Sequence, residues 1–359
     1  MTDGMHGCAI VGGGVIGPTH AAALDALPNA RLIAVVDEDA ERARALAGSY
    51  GAEASTDLDG VLARPDVDVI TVCVPSGRHA AIGVRAAQAG KHVVVEKPLE
   101  VTLQAADRLI SAAGDAGVKL GVISQHRFDP GVRRMKELIE SGRLGRLILG
   151  DAFVKWYRTQ QYYDSGDWRG TWELDGGGCL MNQGVHYVDL LQWMMGPVER
   201  IFARCRTADH AIDVEDVATA LLSFENGAVG VLEASTAVYP GMEERLEVTG
   251  TGGTLVVESG TLRVCELKDE GGETPAYGRK VGSGSEGAAG TSAAADPTAI
   301  AGDAHQAQLA DFLEAIEQDR APAVSGEDAR RPLEVILGVY ESARTGREVT
   351  LPLDRSDGN

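Results

Sequence analysis

Apolar residues in the first third of the chain fall in short unbroken runs, at 7–11, 31–36, 67–74 and up to Glu96. Runs of that length, rich in valine and isoleucine, are what strands buried on both faces look like. Between them, 40–48, 79–89 and 102–116 carry the spacing of helices packed by one face, and an alanine-rich helix reaches about Leu27. A strand at 119–124 ends the alternation. Strand–helix alternation requires right-handed crossovers and a parallel sheet, so residues 1–125 are expected to form a doubly wound α/β domain.

After Ser124 the pattern changes. A helix is expected at 130–141 and a strand at 146–156. Further strands follow at 198–206, 216–224, 228–237, 245–250, 253–258 and 261–266, with Asn226-Gly227 as a hairpin turn. Strands without intervening helices make a largely antiparallel, open sheet. One face needs helical cover, and the other is free to pair with a second subunit. Helices at 303–319 and 326–345 close this second domain, expected to span 126–359. Residues 269–302, rich in Gly, Ala and Ser without periodicity, read as a flexible loop.

The first run leads straight into Gly12-Gly13-Gly14-Val15-Ile16-Gly17, a G-x-G-x-x-G that opens a helix. Gly12 permits the tight turn, Gly14 lets a pyrophosphate approach the backbone, and Gly17 lets helix and strand pack closely. The helix N-terminus offers N–H groups and a positive dipole end to phosphates. The second strand ends in Asp37-Glu38, where an acid accepts hydrogen bonds from ribose hydroxyls and repels a 2′-phosphate. NAD, and not NADP, is the expected cofactor. Pro75 and Ser76, at another strand's carboxyl end, are expected to touch it. His79 is expected to start the next helix.

The stretch VVVEKPLE is a buried strand that stops where Pro98 forbids further pairing. Lys97 is thereby held at a strand end, the place where ligands of open α/β sheets bind. Farther on, WYRTQQYYDSGDWRGTWELDGGG interleaves Trp156, Tyr157, Tyr162, Tyr163, Trp168 and Trp172 with Arg158 and Arg169. Such a mixture suits a ring-stacking ligand with polar or anionic groups, or an ordered loop at a domain or subunit boundary. Gly176-Gly177-Gly178 opens a helix, CLMNQGVHYVDLLQWMM, on which Asn182 and His186 share a face and Asp189 lies near it.

Charge narrows the partners. A formal net charge of −20 argues against nucleic acid and anionic membranes, and requires local arginines for any anionic substrate. The 5 cysteines are scattered, without metal-ligand spacing or a disulfide framework, so no metal site is expected. No apolar run approaches the roughly 20 residues of a membrane span, and no signal-peptide pattern precedes the first strand. Cytoplasmic residence is the expectation.

On these residues the chain resembles the Gfo/Idh/MocA oxidoreductases, a family named for glucose-fructose oxidoreductase and inositol dehydrogenase. The resemblance rests on GGGVIG, Glu96-Lys97-Pro98, GGGCLMNQGVHYVDLLQWM and HQAQLADFLEAI…YESARTGREVTLP, and leaves out only 269–302. It implies an N-terminal Rossmann domain and a C-terminal α/β domain whose open sheet mediates homodimers or homotetramers. It implies Lys97 and His186 as catalytic residues facing a sugar substrate beside the nicotinamide. Glu96, Gln125, Trp168 and Arg169 join Lys97 on the cofactor, and Asn182, Arg127, Arg158, Tyr163 and Trp172 on the substrate. The commonest family pattern has aspartate where this chain has Asn182, which supplies no negative charge to His186. That departure weakens inositol oxidation. It is similar to the branch of UDP-N-acetylglucosaminuronate 3-dehydrogenases and sugar 3-ketoreductases, which shares the Tyr-Tyr-Asp…Trp-Arg-Gly-Thr-Trp segment.

The expected function is therefore NAD-dependent hydride transfer at a sugar carbon, carbon 3 of a nucleotide sugar first. A free polyol, inositol, monosaccharide or glycoside is the alternative substrate. A non-catalytic NAD-binding regulator is the alternative of a different kind. His186, with an ordinary pKa near 6.5, suits a general base; Lys97, ordinarily about 10.4, suits stabilisation of the alkoxide.

Overall fold

The computed structural model describes residues 4–268 and 302–353. All but the last residue of the expected loop at 269–302 lies outside the described residues. The chain divides into two compact units.

The first unit takes the chain up to Gln125, Trp172–Gly176 and, among the described residues, 302–333. Its strands are β1 (His6–Val11), β2 (Ala30–Val36), β3 (Glu53–Ser55), β4 (Val69–Val72), β5 (His92–Val95) and β6 (Leu120–Val122). They are all parallel, in the order β3-β2-β1-β4-β5-β6. The order reverses between β1 and β4, which opens a ligand crevice beyond their carboxyl ends. The helices between the strands are α1 (Gly17–Asp25), α2 (Ala40–Tyr50), α3 (Leu58–Leu62), α4 (His79–Gln88) and α5 (Leu103–Ala116). Capping sets several limits. Asp39 accepts the N–H groups of Glu41 and Arg42 at the start of α2, and Thr102 that of Ala105 in α5. Both helices stop at a left-handed glycine, Gly51 and Gly117, where a side chain would be strained.

The sequence expectation put everything after 126 in the second domain, whereas 302–333 group with this sheet. The reason is an apolar face. Leu309, Phe312 and Leu313 of the helix at Gly302–Glu317 are buried in one cluster with Ile10, Leu24 and Ile123. Each such side chain contributes about 2 kcal/mol of transfer free energy. Gln308 from the same helix donates to the Val122 carbonyl at 2.7 Å and accepts the Ser124 N–H at 2.9 Å. The edge of β6 is closed that way.

The second unit holds 126–171, 177–268 and 334–353. It begins with α6 (Pro130–Glu140), β7 (Leu147–Lys155) and α7 (Gln160–Tyr163). A wide π-helical turn, Cys179–Gly184, then leads into α8 (Val185–Met195), where one regular helix was expected. Next come β8 (Val198–Arg206), β9 (Val217–Phe224), β10 (Val229–Ser235), β11 (Arg245–Gly250), β12 (Gly253–Glu258) and β13 (Thr261–Leu267). The helix at Gly302–Glu317 is α9; α10 (Gly326–Thr345) and β14 (Val349–Thr350) follow. The eight-stranded sheet runs β13-β12-β11-β7-β10-β9-β8-β14, antiparallel except for β7 against β10.

Alternation decides its two faces. Along β9, Ala218, Ala220, Leu222 and Phe224 are buried while Thr219 and Leu221 point away. The buried side packs on α6 and α8. On the other side Leu149, Phe202, Leu221 and Val229 are exposed, and cross-strand pairing puts Leu149 beside Val229 and Phe202 beside Leu221. No helix among the described residues is long and apolar enough to cross a membrane.

Candidate active site

In the first unit the glycine loop carries the cofactor geometry. A Cβ on Gly12 would lie 2.4 Å from the Cys73 carbonyl oxygen, and one on Gly17 2.5 Å from that of Gly12. Both positions exclude side chains. A Cβ on Gly14 would meet nothing within 4 Å, so the backbone there faces open space. Val15 is exposed beside it, and Ile16 caps α1 with no side-chain hydrogen bond and no acid in the first turn. Pro18 has no N–H and the Thr19 N–H goes to the Ile16 carbonyl at 3.0 Å, so the first turn of α1 offers an anion the Gly17 N–H. Asp37 Oδ2 accepts the Gly13 N–H at 2.8 Å, and Oδ1 that of Asp39 at 2.8 Å. Each oxygen keeps a second lone pair for a ribose hydroxyl. These residues fit a dinucleotide.

Pro75 precedes a short 3₁₀ turn, Ser76–Arg78, in which Ser76 is buried. His79 opens α4 as expected, and its ring nitrogens lie 2.8 Å from the Pro98 carbonyl and 2.9 Å from that of Val74. Burial holds its pKa down, so the ring is neutral and donates to one carbonyl at a time. Gln125 keeps a buried Oε1 with no hydrogen-bond partner among the described residues. Trp172 belongs to this unit and is half exposed.

Lys97 follows β5, joined to Pro98 by a cis peptide bond, and is partly exposed. Glu96, expected on the cofactor, turns its carboxylate inward. Oε2 accepts the Lys97 N–H at 3.0 Å, while Oε1 lies 2.9 Å from His20 Nε2 and 3.6 Å from His305 Nε2. Burial disfavours charge on His20, but Cys73 and Glu96 beside it outweigh that and push it up to about 10. Burial likewise works against ionised Glu96, yet the two imidazoles hold its pKa well below the ordinary carboxylate range.

In the second unit the π-helical turn and α8 carry Asn182 and His186. Glu215 anchors their start. Its carboxylate accepts the N–H groups of Gly178 and Leu180, both at 2.9 Å, and the Tyr340 hydroxyl at 3.0 Å. Its carbonyl accepts the Cys179 N–H at 2.9 Å. A carboxylate at a helix N-terminus is favoured by the dipole. Here burial dominates and raises Glu215 to about 7. His186 is buried, its ring 5.0 Å from that of His126 in an edge-on contact. His126 Nδ1 in turn lies 2.8 Å from Asp129 Oδ2. Asp189, placed near the Asn182–His186 face by its spacing, pairs with Arg127: Nε to Oδ2 is 2.8 Å and Nη2 to Oδ1 2.5 Å. Arg127 also stacks over Trp193 at 5.0 Å. This buried pair holds α8 to the chain before α6.

The aromatic segment gives its two adjacent tyrosines, whose rings meet edge-on at 5.1 Å, different surroundings. Tyr163 is buried, its hydroxyl 2.7 Å from Thr236 Oγ1 and its ring 4.8 Å from His210. Tyr162 is the one set among cations. Arg158 lies 5.5 Å and Arg169 4.4 Å from its ring, and its hydroxyl accepts from Arg169 at 2.8 Å and from Gln183 at 3.2 Å. Arg169 also covers Trp168 at 4.4 Å, and Arg158 covers Trp156 at 4.9 Å. Burial lowers the pKa of Arg158, with Arg169 adding to that. Sequence reading passed over Gln183, His126, His20, His305 and Glu215 as functional candidates, and had Tyr162 only as one member of the ring-stacking segment. The adjacency of Tyr162 to Tyr163 on a helical turn was the one usable signal, since neighbouring helical residues point about 100° apart.

The switch-point crevice, the glycine cradle and the acid after β2 define a dinucleotide-binding protein. Residues 6–124 match the oxidoreductase family with an NAD-binding Rossmann fold, and residues 132–256 match the GFO/IDH/MocA C-terminal domain. The chain belongs to the Gfo/Idh/MocA oxidoreductases, and is an NAD-binding enzyme acting on a sugar or polyol. Among solved structures it is similar to the WlbA dehydrogenase from Bordetella pertussis in complex with NADH and UDP-GlcNAcA. That likeness is 31% identical, with a TM-score of 0.85, and covers 98% of this chain and 100% of that one. Among curated relatives it is 28% identical to the scyllo-inositol 2-dehydrogenase (NAD(+)) of Bacillus subtilis, covering 97% of each chain. It is 27% identical to the myo-inositol 2-dehydrogenase of Thermotoga maritima, over 95% and 97%.

Proposed function

We propose that this enzyme oxidises the 3-hydroxyl of an anionic nucleotide sugar of the UDP-N-acetylglucosaminuronate type, with NAD as acceptor. The observation that carries this reading is the end-to-end likeness to a dehydrogenase solved with UDP-GlcNAcA. The two guanidiniums on Tyr162 support it, because a chain of net charge −20 needs local arginines to receive a carboxylate or diphosphate. Bound NAD supplies the hydride acceptor. His186 takes the hydroxyl proton, and its uncharged neighbour Asn182 orients the sugar by hydrogen bonding. Lys97 stabilises the alkoxide as it develops.

A second reading, oxidation of a free inositol or glycoside, is favoured by the likeness to inositol dehydrogenases and disfavoured by Asn182. Purified protein with NAD, offered UDP-N-acetylglucosaminuronate, UDP-N-acetylglucosamine, myo-inositol and glucose, separates the two by NADH absorbance. The expected result is a kcat/KM at least about 100-fold higher for the first, since a site built for a carboxylate is left with buried unpaired groups by analogues lacking it. Preference for inositol would sink the proposal. With this function we infer a cytoplasmic homodimer or homotetramer, built on the sheet face that bears Leu149, Phe202, Leu221 and Val229.

A further inference from the structure

The last ladder bonds at the end of β5 are the Glu96 N–H to the Val72 carbonyl, 3.0 Å, and the Ile123 N–H to that of Val95, 2.8 Å. The next N–H, that of Lys97, leaves the ladder for the side chain of the residue before it, Glu96 Oε2. Pro98 has no N–H, and its carbonyl lies against His79. The backbone on both sides of the Lys97 Cα is therefore held by side chains. What holds Glu96 comes from far away in sequence. His20 sits on α1, just past the glycine loop, and His305 sits on α9; they are 0% and 1% exposed. Both Nε2 atoms meet the same oxygen, Oε1, leaving Oε2 to Lys97.

We propose that His20, Glu96 and His305 form a buried clamp that positions Lys97 for its work on the substrate hydroxyl. The three are positioning residues that act through the Lys97 backbone. The inference rests on the reading of Lys97 as the alkoxide-stabilising group. A buried ion pair is a poor way to gain stability, because well-packed apolar side chains of similar volume often serve as well or better. What the pair supplies is direction: a carboxylate pinned at one oxygen has its other oxygen fixed toward one N–H. A lysine displaced by as little as about 1 Å loses much of its effect on a developing charge. The same donors, two imidazoles and a carboxylate within 4.8 Å of one another, also resemble a divalent-cation set. The 2.9 Å contact needs only the proton on His20.

The test compares wild type, His20→Phe, His305→Phe, His305→Gln and Lys97→Ala as full-length protein. Amide hydrogen exchange at Lys97 reads the clamp without any substrate. Both phenylalanine variants are expected to speed it by about tenfold or more while Val93–Val95 keep their protection. With UDP-N-acetylglucosaminuronate and NAD, kcat should fall by about 10- to 100-fold with both KM values nearly unchanged. His305→Gln, which restores an N–H donor, should recover most of the rate. Should His305→Phe misfold, His305→Leu takes its place. Unchanged Lys97 exchange in both apolar variants would overturn the clamp, as would one equivalent of tightly bound divalent metal in the purified protein. Full activity in Lys97→Ala would instead defeat the reading of Lys97, whatever the exchange data show.

Discussion

The Oδ2 atom of Asp37 stands 2.8 Å from the amide nitrogen of Gly13, so the acid at the end of β2 also braces the glycine loop. One carboxylate thus braces the glycine loop and, on the proposed reading, is also the group that meets the ribose. NAD should be preferred over NADP by at least about tenfold, since a carboxylate beside a 2′-phosphate is repulsive and desolvated. Asp37→Ser combined with Glu38→Arg should relax the preference. Because the Gly13 N–H loses its acceptor, KM for NAD should rise as well. Equal kcat/KM for both cofactors in the wild type would contradict this.

Lys97→Ala should lower kcat by roughly 100-fold or more, as loss of an electrostatic stabiliser does, with little change in NAD affinity by fluorescence titration. His186→Ala should also cut turnover and remove the acidic limb of the pH–rate profile. Survival of that limb would move the proton acceptor elsewhere.

Burial raises Glu215 to about 7 against an ordinary value near 4.5. The folded state therefore holds this proton more tightly than the unfolded chain does. Its contribution is fully present below pH 4.5 and is lost as pH rises through about 7, a swing of roughly 3 kcal/mol. Glu215→Gln should flatten the thermal midpoint across that window. An unchanged slope would show that the carboxyl ionises freely in the fold.

Light scattering at micromolar concentration should give a dimer or tetramer. Leu221→Glu, which puts a charge on the exposed sheet face, should shift it towards monomer while leaving the far-UV circular dichroism intact. A monomeric wild type would count against the assembly.

Phe312 is buried in the first unit, its ring against the position a Cβ on Gly121 would take. Phe312→Ala should cost about 3–5 kcal/mol and weaken NAD binding through loss of folded protein, although the residue lies far along the chain. Denaturant titration with and without NAD checks it.

Much of this was readable from residue order alone. Every strand from β4 to β6 and from β7 to β13 lies within a residue or two of its sequence expectation, because buried strands and capped helices are written locally. The short elements β3, α3, α7 and β14 were not, since so few residues carry no usable period. Lys97, Asn182 and His186 stood out through Pro98 and helical spacing. His20 and Glu215 could not, because a lone histidine among alanines and a glutamate before a strand gain meaning only from partners that folding brings to them. Tyr162 and Tyr163 have different surroundings that residue order alone does not assign, since partners distant in sequence create them.

The packing of α9 on the first sheet has a practical corollary for anyone dissecting this enzyme. A fragment cut at residue 125 would retain the glycine loop yet expose Leu24 and Ile123 to water and leave the β6 edge without Gln308. Such a fragment should be prone to aggregation through that edge. A self-sufficient nucleotide-binding piece would instead be discontinuous, residues 1–125 joined through a short linker to 302–333, with the second unit treated as an insertion.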